Sequence, residues 1–109
     1  MDVFPIREPS GPDFISLEQA IGQSALVKVA HGMGGPPAHV LLSARCKTAE
    51  GGYTPGDEEF TPYLVGVAAD ETYVIIIQPA LFQIYSHTLF GPINATPASW
   101  RWVVRAWRY

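Results

Sequence analysis

The stretch Ala95-Thr-Pro-Ala-Ser-Trp-Arg-Trp-Val-Val-Arg-Ala-Trp-Arg-Tyr109 constrains the fold more than any other part of the chain. Thr96 can cap a short helical turn, and Pro97 suits its first position, where no amide donor is needed. From Trp100 the residues are aromatic or β-branched, the composition of a strand. Successive side chains of a strand point to opposite faces. Trp100, Trp102, Val104 and Ala106 therefore share one face, and Arg101, Val103, Arg105, Trp107 and Tyr109 share the other. Neither face is simply polar, so both need cover. The more apolar set belongs in the core, and Arg101, Arg105, Trp107 and Tyr109 are then expected to meet a partner.

At 109 residues the chain has the size of one domain. Ten glycines, ten prolines and only 16% charged residues suit many turns and short strands. The net charge of -3 gives no electrostatic case for nucleic acid. Charge is uneven along the chain: Asp2, Glu8, Asp13 and Glu18 stand against Arg7 alone early on, whereas Arg101, Arg105 and Arg108 crowd the last strand. An acidic arm meeting a basic strand, in the same chain or a neighbouring copy, would suit that separation. Cys46 is the single cysteine, so no internal disulfide forms, and it falls at an inward strand position. No signal-peptide pattern and no run long enough to cross a bilayer occurs, so a soluble product made in the cytoplasm is expected.

Residues 1–15 set Val3, Phe4, Ile6, Phe14 and Ile15 among Pro5, Pro9 and Pro12. Proline fixes φ and biases its predecessor to extended conformations, so this segment reads as an extended arm whose apolar side chains need a surface. Ser16-Leu-Glu-Gln19 has the form of a capping box and predicts one or two helical turns ending at Gly22. Residues 1–24 are thus an arm with a short helical turn, and residues 25–109 a β domain. Within that domain, Ala25–Ala30, His39–Lys47, Tyr63–Val67, Thr72–Gln78, Leu81–Tyr85 and the terminal stretch read as strands, with a loop or bent strand over Ser86–Asn94. Val40, Leu42, Ala44 and Cys46 should face in; His39, Leu41, Ser43, Arg45 and Lys47 should face out. The pattern predicts an all-β fold, an antiparallel sandwich or jelly roll.

The chemistry is sparse. His31 and His39 flank the glycine- and proline-rich loop and could meet, and with an acidic third ligand they could hold a metal, but isolated histidines near loops are commonly surface residues, and His87 is the only other imidazole. Asp57, Glu58 and Glu59 lack the alternation and glycine of a calcium loop. Asp57 and Glu59 could pair for sugar hydrolysis, yet no second polar cluster supports a cleft. Cys46 faces the core and no serine sits in a nucleophile elbow. The chain reads as non-enzymatic, with no metal and no cofactor.

Three stretches carry a resemblance: Tyr53-x-x-Gly56-Asp57-Glu58, Asp70-x-Thr72-x-Val74-x-Ile76, and Ala95-Thr-Pro-Ala-Ser-Trp-Arg-Trp-Val-Val-Arg-Ala-Trp107. Over residues 53–109 the chain resembles small jelly-roll virion proteins of tailed bacteriophages, which have a Gly-Asp turn early and end in a Thr-Pro-x-x-Trp-Arg strand. Residues 1–52 match nothing in that pattern. The resemblance implies a non-enzymatic, oligomeric structural protein, commonly a trimer. A capsid decoration (cement) protein on the virion surface, bound to the major capsid protein, is the first expectation. A head-fibre or tail-fibre module meeting a host glycan through Tyr85, Trp107 and Tyr109 is the alternative. Neither reading involves nucleic acid or a membrane. The expected contact residues are Phe4, Ile6, Phe14, Arg101, Arg105, Trp107 and Tyr109.

Overall fold

The computed structural model describes residues 11–60, 64–86 and 91–108. Among them are ten strands: β1 (Phe14–Ile15), β2 (Gln19–Ala20), β3 (Leu26–Ala30), β4 (His39–Cys46), β5 (Glu58–Glu59), β6 (Gly66–Ala69), β7 (Tyr73–Ile77), β8 (Gln83–Tyr85), β9 (Pro92–Asn94) and β10 (Trp100–Trp107). The one helical element described is a 3₁₀ turn over Pro97–Ser99. All strand pairings are antiparallel. The chain is an all-β protein.

β10 organises the largest sheet. One edge pairs along its whole length with β4, from Trp100 opposite Cys46 to Trp107 opposite His39. The other edge is covered twice, by β1 at Arg105–Ala106 and by β2 at Arg101–Trp102. β5 extends the sheet beyond β4. A second sheet has the order β3-β7-β6, and β8 with β9 forms a hairpin.

Side chains from all three meet in one core. Trp100, Trp102, Val104 and Ala106 are wholly buried, as the alternation of the last strand predicts. Leu42, Ala44 and Cys46 of β4, Val74 and Ile76 of β7, Val29, Phe82 and Ile84 join them. Tyr53 packs edge-on to Trp100 at 5.1 Å between ring centres, and Phe82 edge-on to Trp102 at 5.5 Å. Such pairs add to the hydrophobic gain of burying large rings.

Two expectations about the N-terminal segment are corrected. Residues 16–21 form no helix. The Ser16 hydroxyl accepts the Val104 N–H at 3.0 Å, and the Ser16 N–H donates to the Val104 carbonyl at 2.9 Å. The Gln19 side chain turns to the Leu17 carbonyl, so the reciprocal bonds of a capping box are not made. Pairing with β10 captures the segment instead, and residues 13–20 belong to the sheet rather than to a separate arm. The helical turn at Pro97–Ser99 does form, but Thr96 makes no side-chain cap. Its amide and hydroxyl both bond to Glu50. Ser43, expected outside, is buried, because Glu58 and Arg105 close over its hydroxyl.

Candidate functional site

The outer face of the β10 sheet carries three of the predicted contact residues, Arg101, Arg105 and Trp107. Arg101, Val103, Arg105 and Trp107 lie there opposite Arg45, Ser43, Leu41 and His39 of β4. Arg105 grips Glu58 with both guanidinium nitrogens, Nη1 to Oε1 at 2.9 Å and Nη2 to Oε2 at 3.1 Å. Arg45 Nη2 donates to Glu58 Oε2 at 3.1 Å, and Arg45 Nη1 to Glu18 Oε2 at 3.0 Å. Lys47 pairs with Glu18. Glu58 is drawn down to about 2, first by Arg105 against the opposing effect of burial, then by Ser43 and Arg45. Lys47 and Arg45 lower Glu18 in the same way. This network ties Glu18, just ahead of β2, to β4, β5 and β10, so Arg105 is engaged within its own chain. Arg101 donates to the Ala98 and Trp100 carbonyls. Phe14 packs against the chain's own core, and Trp107 is half-buried at the end of β10. Phe4, Ile6 and Tyr109 lie outside the described residues, as do Tyr63 and His87.

The acidic turn makes no paired-carboxylate cleft. Asp57 Oδ2 accepts the Thr54 amide and hydroxyl. Glu59 is buried and accepts the Tyr85 N–H at 3.1 Å. Tyr53 donates its hydroxyl to the Tyr85 carbonyl at 2.6 Å beside Glu59; burial, then the Glu59 charge, push that hydroxyl up to about 12. His31 is buried with both ring nitrogens in use: Nδ1 accepts the Met33 N–H, and Nε2 donates to the Asp70 carbonyl. That network assigns the Nε2–H tautomer. His39 is exposed at the start of β4. Among the described residues no three His, Cys, Asp or Glu side chains gather as metal ligands.

Two polar partners of the core tryptophans, half-buried Glu50 and buried Gln78, escaped sequence reasoning. Trp100 Nε1 donates to Glu50 at 2.9 Å, and Trp102 Nε1 donates to Gln78 at 2.9 Å. Burial pushes the Glu50 carboxyl up, but the bonds from Thr96 and Trp100 outweigh it and hold it below the usual range. Gln78 also accepts the Gly22 N–H and donates to the Ala25 carbonyl. A buried indole needs such a partner. That need is visible in a sequence; the identity of the partner is not.

Two further surfaces stand out. The outer face of the second sheet presents Leu26, Ile77 and Gly66 in one row, Lys28, Ile75 and Ala68 in the next, then Ala30 and Tyr73. Leu26 is 61% and Ile77 46% exposed. Its one charge, Lys28, sits 5.5 Å from the centre of the Tyr73 ring. The second surface is an open groove of about 250 Å³ lined by Phe14, Ile15, Ser16, Leu17 and Gln19 on one side and Val29 and Ala30 on the other.

No protein-family model, no curated protein and no solved structure matches this chain.

Proposed function

We propose that the chain is a non-enzymatic structural protein of a phage virion, a capsid decoration protein that binds neighbouring subunits of the major capsid protein and its own copies, as a trimer. In this reading the β domain is a jelly-roll sandwich. The observation that carries it is the outer face of the β3-β7-β6 sheet. A three-stranded face of Leu26, Ala30, Ala68, Tyr73, Ile75 and Ile77 with one charge is more apolar than a solitary soluble domain needs. A partner-bound protein uses such a face. The phage assignment itself rests on the resemblance of residues 53–109.

The test is copy number. Quantitative mass spectrometry on purified virions that carry the protein should give copies matching capsid lattice sites, hundreds per particle on the order of a symmetric shell's repeats. A handful of copies, or none, overturns the reading. Leu26→Lys with Ile77→Lys should strip the protein from particles while leaving its circular dichroism spectrum unchanged, because both side chains are exposed.

A further inference from the structure

The groove beside β1 and β2 points to a specific occupant. Its two walls are sheet margins. β1 and β2 pair with β10 on one side, and β3 pairs with β7 on one side. Among the described residues the opposite margins of these strands have no strand partner. Two open margins flanking one groove are a template for an added extended segment. None of the seven lining residues is charged. Large apolar side chains stand at the rim: Ile15 is 56% and Leu17 84% exposed. The groove therefore calls for an extended, uncharged, apolar segment.

The chain itself has such a segment just ahead of the groove. Ten residues precede the first described one, and Val3-Phe4-Pro5-Ile6 is their uncharged apolar part. Pro5 lacks an amide donor and is tolerated at a sheet margin. Direction decides whose segment fits. β1 runs antiparallel to β10, and Asp13 lies at the far end of β10, where its carboxylate accepts the Arg108 N–H. Moving back along the chain from Phe14 therefore leads away from the groove, which extends from Phe14 toward Gln19 opposite Trp102. Ile6 is five residues from Gly11, and an extended link of that length reaches about 17–18 Å, enough to cross to a molecule packed alongside.

We propose that the groove of one copy receives Val3–Ile6 of a second copy, so that neighbouring copies are linked by exchanged N-terminal segments. This rests on the assembly reading above and names the contact that builds it.

Variants with an added cysteine test it in the full-length protein. Phe4→Cys and Ala30→Cys copies are prepared separately, mixed, and oxidised; Cys46 is buried and stays out of the reaction. Heterodimers should form at least about tenfold more than when Ala49→Cys, exposed and away from the groove, replaces Ala30→Cys, because docking raises the effective thiol concentration. Leu17→Asp on the Ala30→Cys copy should remove that excess, with circular dichroism showing the fold retained. Equal yields with Ala49→Cys, or no heterodimer, overturn the proposal. So does a double variant, Phe4→Cys with Ala30→Cys, that closes only within one chain. Light scattering on the unoxidised protein separates the two readings. Oligomers without the cross-link sink the exchange and leave the decoration reading standing, while specific cross-links in a protein absent from virions do the reverse.

Discussion

At the scale of single residues, stability concentrates in a few polar groups that serve buried rings and charges. Trp102→Ala empties a wholly buried site and should cost about 3–5 kcal/mol, read as a lower Tm in every assembly state. Gln78→Leu keeps the volume but strands the Trp102 indole N–H and the Gly22 amide, and chemical denaturation should show a loss of about 1–3 kcal/mol. Glu58 sets a pH dependence. Its carboxyl lies near 2 in the folded chain against 4.5 ordinarily. A depressed carboxylate stabilises above its unfolded value and loses that contribution as pH falls through its folded value. The window is therefore pH 4.5 down to 2, and the contribution is on the order of 3 kcal/mol. Glu58→Gln should flatten stability measured across that window and lower it at neutral pH, where Arg105 and Arg45 lose their shared carboxylate. An unchanged slope would remove Glu58 from this role.

At the scale of elements, residues 13–20, which composition assigned to an arm, belong to the main sheet. Deleting residues 2–10 leaves every described pairing with β10 in place. Deleting residues 2–15 removes β1, the Asp13 amide bond to Ala106 and the Phe14 side chain from the core. The shorter deletion should retain the Tm of the full chain, and the longer should lower it by several degrees, consistent with losing at least about 1–2 kcal/mol from a small domain. Equal Tm values would show that β1 is dispensable. The same comparison explains what could be read in advance. β10 and β4 were legible because their side chains alternate between two faces, and β7 because Tyr73–Ile77 is an unbroken β-branched and aromatic run. β2 was not, because Ser16-Leu-Glu-Gln19 satisfies a helix signature locally while pairing with a strand more than 80 residues away decides the outcome. The contact residues fared unevenly. Arg101, Arg105 and Trp107 do share the face that alternation gave them, but bidentate pairing of Arg105 with Glu58 depends on β5 lying beside β4, which no local pattern announces.

At the scale of the whole molecule, the main sheet joins distant parts of the chain through one strand. β4, β1 and β2 all wait for β10: β1 pairs with residues some ninety positions later, and β4 with residues about sixty positions after its own end. During translation at about 5–20 residues per second, the long inner margin of β4 stays without its partner for about 3–12 seconds. For that interval Leu42 and Ala44 have no tryptophans to pack against. Closing such long loops is slow, and an unmatched apolar strand is a sticky one. The consequence concerns the ribosome rather than the finished protein. The chain must be shielded until Trp100–Trp107 emerges, so its yield in a cell should depend on chaperone supply more steeply than its equilibrium stability would suggest.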